Sequence, residues 1–349
     1  MKKLDILSPL PAVLLPWYEE NKRVLPWRVD RDPYHIWVSE IMLQQTRVEA
    51  VKGYYTRFLK AFPSVKDLAC AEDALLHKLW EGLGYYSRIR NMKKAAVVIM
   101  DKYDGCFPTV YADILSLPGI GAYTAGAICS IAYDQPTPAV DGNVLRVVAR
   151  LTDDNTPVDS PVFKKSVQDR LAKIYPRQAG DFTQALMELG ATVCGPNKKP
   201  ECENCPCNAF CLGYKHGTAD SLPYKMPKRQ RTVEERTVFI LSCDGEYALQ
   251  KRPPRGLLAE LWEFPNVSGK LDVSSAIKQV EEYCLKPKEM LRTVERKHIF
   301  THIEWQLRGI YMEVAEKNSE YVWMSAEQIK DELALPTAFR QFWEEIKNV

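Results

Sequence analysis

From Tyr34 to Val51 apolar side chains recur every three to four residues, and the same spacing returns at Asp73–Glu81, Asn91–Met100, Ala122–Tyr133 and Val162–Ile174. That period gathers the apolar residues on one face of a helix, so each stretch predicts one. Proline and glycine fall between the stretches, where helix breakers belong. Val144, Leu145, Val147 and Val148 predict a further helix that begins near Asp141. Beyond Lys215 the pattern changes. Residues 217–235 are polar, basic and proline-containing, without an apolar period, which predicts a linker. Short β-like runs then occupy Thr237–Cys243 and Tyr247–Gln250, followed by a loop over Gly256–Phe264 and a helix over Ser274–Tyr283. A strand pair that includes Ile303–Glu313, a short strand at Tyr321–Met324 and a closing helix complete the chain. There is no internal repeat. The pattern predicts a multidomain α and α+β protein: a helical domain over 1–216, a linker over 217–235 and an α+β domain over 236–349.

At 349 residues the chain is long enough for two or three domains with full cores. Composition is that of a soluble protein, 46% hydrophobic and 26% charged, and no apolar run is long enough to cross a membrane. The expectation is a monomer without membrane contact. Net charge is only +2, so bulk electrostatics do not announce a nucleic-acid partner. Local runs do better. Arg88–Lys94 carries four positive charges and no acid, and Lys225–Arg231 repeats that density. A single basic run is usually a solvated face; two of them, with Lys198 and Lys199, raise phosphate binding above that reading.

Cys194, Cys202, Cys205 and Cys211 are separated by seven, two and five residues. The start of the chain, with three prolines and an acid before any apolar core, does not read as a secretory signal, so a reducing cytoplasm is expected. There, four clustered cysteines point to a thiolate-bound metal centre rather than to disulfides. Zinc sites usually pair their cysteines in two short knuckles, and here there is one. The wide, narrow, medium spacing also suits a cubane iron–sulfur cluster, and spacing by itself leaves both open. Cys207 lies inside the loop and complicates the ligand assignment.

Leu117-Pro118-Gly119-Ile120-Gly121 joins two predicted helices. Its alternate glycines permit a tight turn with outward backbone N–H groups at a helix N-terminus, a geometry that holds a phosphate without a side chain. A plain helix–turn–helix connection is the alternative. Asp141 falls at a predicted helix start, where the dipole favours its ionised form, although most aspartates at such positions only cap. Glu40 falls mid-helix among Trp37, Val38, Ile41 and Met42, with Leu43, Gln44 and Arg47 on its face. If buried there its pKa should rise towards neutrality; a solvent-facing glutamate is the commoner outcome. One carboxyl kept protonated and another kept anionic is the equipment for breaking a glycosidic bond.

With Glu40, the hairpin, Asp141 and the cysteine loop in this order, the chain resembles the helix-hairpin-helix DNA glycosylases, and within them the MutY-type adenine glycosylases. The resemblance covers essentially the whole chain. It is carried by LPWR at 25–28, WVSEIMLQQTRV at 37–48, EGLGYYSRIRN at 81–91, LPGIGAYTAGAI at 117–128, VDGNVLRV at 140–147 and LWEFP at 261–265. It implies an all-helical helix-hairpin-helix domain with an iron–sulfur cluster loop, followed by a Nudix-like α+β domain. It also implies a [4Fe–4S] cluster on Cys194, Cys202, Cys205 and Cys211, although the family generally has six residues rather than seven between the first two. The implied partner is double-stranded DNA containing adenine opposite 8-oxoguanine or guanine. Glu40 would be the acid that protonates adenine at N7, Asp141 the anion that stabilises the ribosyl cation, and Tyr123 and Asn143 would support that carboxylate and the sugar. Trp27, Arg28, Leu43 and Gln184 would line the pocket of the extruded base. Gln45 and Tyr85 would enter the base stack, while Arg88, Gly119, Gly121, Lys198 and Lys199 would contact the DNA backbone.

Phe300-Thr301-His302 matches the tip with which the family reads 8-oxoguanine, with threonine where serine is usual. The helix near Ser274–Tyr283 offers only Glu281 and Glu282, short of the acid-rich helix a Nudix hydrolase uses for metal, so recognition is expected rather than nucleotide hydrolysis. The related endonuclease III branch, a glycosylase and lyase acting on oxidised pyrimidines, carries a lysine nucleophile where this chain has Tyr123 and lacks the second domain. That activity, and a non-catalytic DNA-binding cluster protein, are the competing readings.

Overall fold

The computed structural model describes residues 5–196, 199–227 and 230–346. In chain order its helices begin with α1 (Leu10–Asn21), α2 (Pro33–Leu43), α3 (Val48–Ala61), α4 (Val65–Ala69) and α5 (Asp73–Trp80). They continue with α6 (Ser87–Tyr103), α7 (Tyr111–Ser116), α8 (Ala122–Tyr133), α9 (Gly142–Thr152), α10 (Pro161–Ala172), α11 (Ala179–Thr192) and the short α12 (Leu212–Lys215). Then follow β1 (Thr232–Cys243), β2 (Glu246–Lys251), β3 (Trp262–Glu263), β4 (Asn266–Ser268), α13 (Val273–Glu282), β5 (Pro287–Ile299), β6 (Ile303–Val314), β7 (Val322–Ser325), α14 (Ala326–Glu332) and α15 (Thr337–Ile346).

The chain divides into one compact unit of residues 1–70 and 90–227 and another of residues 71–89 and 228–349. The division departs from the expected one at 71–89. Within the second unit the Lys78 ammonium donates to the carbonyls of Lys330 and Leu333, at 2.5 and 2.8 Å, and the Leu335 amide donates to the Glu81 carboxylate at 3.2 Å. A helix pattern in the sequence reveals that α5 exists but not which core it joins.

In the first unit helices pack closely because small residues let them. A β-carbon on Gly126 of α8 would stand 2.4 Å from the Pro138 carbonyl oxygen, and one on Gly213 would stand 2.5 Å from that of Arg150. Leu10, Leu14 and Tyr18 of α1, Val144 and Val148 of α9, and Phe182, Leu186 and Leu189 of α11 share one buried cluster. Where the sequence predicts one helix over Tyr34–Val51, the chain turns at 44–47 between α2 and α3, with Gln45 at φ 60°. The apolar period resumes in phase after the turn, and no glycine or proline marks it.

The second unit is built on a seven-stranded mixed sheet ordered β3-β2-β1-β6-β5, with β4 on β1 and β7 on β2. The central pair β1 and β6 runs parallel, with Phe239 opposite Ile310. Side chains alternate across it as strand geometry requires. Val238, Ile240, Leu307 and Tyr311 pack with Phe339, Phe342 and Trp343 of α15, and Phe239, Leu241, Ile310 and Met312 pack with Ala276 and Val280 of α13. The sheet is therefore covered on both faces. The first residues of β1 fall inside the stretch expected to be linker, and β3 inside the expected loop.

Gly126→Ala should lower the stability of the protein by about 1–3 kcal/mol, because the β-carbon meets rigid backbone rather than a side chain that can move. A thermal melt reads this, and an unchanged Tm counts against the close packing of α8.

Candidate active site

Asp32 caps α2, its carboxylate accepting from the Tyr34 amide at 2.8 Å, and Pro33 occupies the first helical position. Every residue from Ile36 to Met42 is buried, so α2 has no solvent face for Glu40 to occupy. Glu40 is only 6% exposed. Its Oε2 accepts a short hydrogen bond from the Tyr123 hydroxyl, which comes from the second residue of α8. Burial drives the Glu40 pKa up to about 7; Tyr123 and the charge of Arg28 oppose the rise, and the negative charge of Asp141 adds to it. The mid-helix carboxyl expected among apolar neighbours is thus buried. Gln44 and Arg47, expected on its face, lie beyond the end of the helix.

Asp141 caps α9. One carboxylate oxygen accepts from the Val144 amide at 2.8 Å and the other from the Asn143 side-chain amide at 2.6 Å. Its pKa is raised rather than lowered, because burial outweighs these hydrogen bonds and the nearby Arg146. The helix terminus alone does not decide the charge of this group. Of the two residues expected beside Asp141, Asn143 donates to its carboxylate, whereas the Tyr123 hydroxyl donates to Glu40.

Both carboxylates line a cleft of about 1290 Å³ together with Trp27, Arg28, Leu43, Gln45, Tyr123, Asn143, Gln184 and Lys199. Ten of the candidate residues therefore meet on one surface. Trp27 is mostly buried with its ring edge-on to Tyr55 at 5.6 Å. Lys198 lies outside the described residues. Gly119 and Gly121 sit apart, in the hairpin before α8. Gly119 has φ 77°, and a β-carbon there would strike that of Asn91 at 2.6 Å, whereas one on Gly121 would meet nothing within 4 Å.

Sequence reasoning missed three pieces of this wall. Glu188 of α11, its side chain fully buried, accepts from Arg23 and Arg28. Arg146 and Arg150 are both buried on α9: Arg146 donates to Asn143 Oδ1 at 2.9 Å, to the Gly190 carbonyl at 2.7 Å and to the Cys194 carbonyl at 2.8 Å. Arg150 donates to the carbonyls of Cys194, Gly195 and Leu222 and to the Cys194 sulfur at 3.2 Å. The available signal was a charged residue inside an apolar helical run, the same signal that singled out Glu40.

Cys194, Cys202, Cys205 and Cys211 all border one small cavity, with Val147, Leu151 and Leu189 behind them, and Cys207 does not border it. Cys207 is fully buried in the core beside Cys211. Among the described residues no three His, Cys, Asp or Glu side chains converge tightly enough for a single metal ion. Four cysteine sulfurs that border one cavity supply the donor set of a thiolate-bound metal centre.

In the second unit Tyr85 stands 48% exposed with φ 47°. Arg88, expected to reach DNA phosphate, instead turns inward: it donates to the carbonyls of Leu83 and Gly84 and lies over the rings of Trp80 and Tyr85 at 5.4 and 5.5 Å. Thr301 and His302 are exposed at the turn between β5 and β6, and the Tyr85 and Thr301 hydroxyls lie 3.2 Å apart. Phe300 is half-buried, edge-on to Trp305 at 4.9 Å and His298 at 4.5 Å, and so anchors the turn rather than projecting from it.

Residues 38–168 match the HhH-GPD superfamily of base excision DNA repair proteins, and residues 236–345 match the NUDIX domain. The chain is 36% identical to the adenine DNA glycosylase of Arabidopsis thaliana over 86% of its length, spanning 56% of that protein. Against the adenine DNA glycosylase of Mus musculus it is 35% identical, with 83% and 68% covered. Against that of Buchnera aphidicola subsp. Baizongia pistaciae it is 31% identical, with 96% of each covered. A thermostable thymine-DNA glycosylase superposes on 59% of the chain and 94% of its own, with a TM-score of 0.54 and 29% identity. An endonuclease III from a non-covalent DNA complex shares the fold at 23% identity, with a TM-score of 0.52 over 62% of this chain and 99% of its own. The chain belongs to the adenine DNA glycosylase family, within the helix-hairpin-helix base-excision repair superfamily.

Proposed function

We propose that the protein is a monofunctional DNA glycosylase that removes adenine mispaired with 8-oxoguanine or guanine. The observation that carries this reading is the pair of carboxylates in one cleft with different surroundings: Glu40 with its pKa raised to about 7, and Asp141 ringed by hydrogen-bond donors. With the adenine extruded into the cleft, Glu40 gives its proton to N7, and the glycosidic bond breaks with its electron pair passing to the base. Asp141 stabilises the sugar cation until water adds at C1′ and loses a proton. Tyr123 in place of a lysine favours simple hydrolysis over Schiff-base lyase chemistry. Cys194, Cys202, Cys205 and Cys211 would hold a [4Fe–4S] cluster that braces the loop around Lys199. Thr301 and His302 would read the 8-oxoguanine, which differs from guanine at C8 and N7.

Duplexes containing adenine opposite 8-oxoguanine, adenine opposite guanine, and thymine glycol separate the readings. Base loss at adenine alone, with strand breaks only after alkali, is expected; cleavage at thymine glycol without alkali would establish the lyase reading instead. Glu40→Gln should reduce excision by about 10²–10⁴-fold with duplex binding nearly intact, since the amide has no proton to give. Because the acid must be protonated, single-turnover excision should fall as pH rises above about 7. Anaerobically purified protein should be brown with about four irons per chain; stoichiometric zinc would overturn the cluster, and metal loss in Cys207→Ser but not Cys194→Ser would overturn its ligands. Thr301→Ala with His302→Ala should erase most of the preference for 8-oxoguanine, on a scale of about 1–3 kcal/mol per lost contact, while slow excision opposite guanine persists. Unchanged discrimination would remove the tip from the reading.

A further inference from the structure

Glu188 presents a fully buried carboxylate in the wall of the cleft. It is held from two sides. Arg23, between α1 and the turn at Pro26–Arg28, donates to it from its backbone amide at 3.1 Å, from Nε at 2.6 Å and from Nη2 at 2.9 Å. Arg28 donates from Nη2 at 2.8 Å, and its Nη1 reaches the Arg23 carbonyl at 3.1 Å. The Arg28 side chain is 13% exposed and that of Arg23 36%. The result is a cation–anion–cation triad around a buried carboxylate. Burial opposes its ionisation, but the hydrogen bonds from Arg23 and Arg28 and the charge of Arg28 outweigh it and lower its pKa to about 2. Buried ion pairs add little stability over an apolar replacement, so an arrangement this complete in a cleft wall calls for another account.

That account comes from where Arg28 sits, on the cleft that Glu40 also lines. Tyr123 from α8, Asp141 at the start of α9 and Arg28 from the turn before α2 act on Glu40, and Arg23, Arg146, Arg150, Lys164, Lys199 and Lys225 line the same cleft. Arg28 is a cation that favours loss of the proton the acid must keep. We propose that Glu188 is a positioning residue for base excision: it fixes the Arg28 guanidinium in the wall of the cleft that Glu40 lines and balances its charge there. This rests on the reading of Glu40 as the acid. Removing the anion leaves the cation uncompensated and moves the loss of the Glu40 proton to lower pH. Removing Arg23 leaves Glu188 and Arg28 to neutralise each other and moves it to higher pH.

The test is single-turnover release of adenine from the 8-oxoguanine duplex from about pH 5.5 to 9, with the full-length protein. In Glu188→Gln the alkaline limb should shift down by about half a unit, making the loss at pH 8 about threefold larger than at pH 6. In Arg23→Met, which uncovers no unpaired carboxylate, the limb should shift up. Opposite shifts are not what a purely structural role produces; equal losses at every pH, or limbs left in place in Arg23→Met, overturn the proposal. Should Glu188→Gln fail to fold, the upward shift in Arg23→Met carries the test alone. A wild-type profile with no alkaline limb overturns the acid assignment, and the triad's role with it; a wild-type limb that the variants leave in place overturns the triad alone.

Discussion

At Gly190 a β-carbon would stand 2.7 Å from the β-carbon of Asn143, so α11 can lie against the first turn of α9 only with glycine at that point. This contact brings the Gly190 carbonyl within 2.7 Å of Arg146, whose other donors bind Asn143 Oδ1 and the Cys194 carbonyl. With its oxygen held by Arg146, the Asn143 amide has only its N–H group to offer Asp141. One helix crossing therefore sets the side-chain orientation at Asp141 and joins it, through a single arginine, to the first cysteine of the loop. Arg150, one helical turn further along, reaches the same cysteine twice more, at its carbonyl and at its sulfur. Each guanidinium here is buried and meets carbonyl oxygens, which is how burial of such a group is tolerated.

Glu40, Asp141 and Glu188 line the same cleft, and their charges follow from counting donors against burial. Glu40 has one neutral donor, the Tyr123 hydroxyl, and its pKa rises to about 7. Glu188 has two guanidinium partners, and its pKa falls to about 2. Asp141, held by an amide N–H and a side-chain amide, is raised by burial against those two donors and Arg146. Burial alone predicts the same direction for all three. Only the number and charge of the partners separates them, and this is why one surface can hold both a proton donor and an anion.

The second unit shows the same dependence on packing. Its sheet is closed on both faces, and the turn between β5 and β6 is fixed from below by Phe300 on Trp305, which itself packs towards Phe339 at 6.1 Å. That ladder of rings leaves Thr301 and His302 as the exposed side chains of the turn. A half-buried aromatic with exposed polar neighbours makes a stiff tip, since the ordering entropy of the turn is met by the core beneath it.

Much was legible in the chain by itself because it was local. The apolar period located α8 to the residue and α13 to within one; Asp141 at the start of an apolar repeat became a cap, and the four cysteines with unequal spacing came to border one cavity. Glu40 stood out as a charge inside an apolar run, although whether that run had a solvent side was not written in it. The turn at 44–47 left no mark because the apolar period continues across it. What only tertiary structure decided are the pairings over distance. Glu188 meets Arg23 across 165 residues and Arg28 across 160, and Tyr123 chooses Glu40 over Asp141 across 83. Periodicity reports which face of an element is apolar; it carries no information about which buried charge will find which partner, because that is set by where the helices cross.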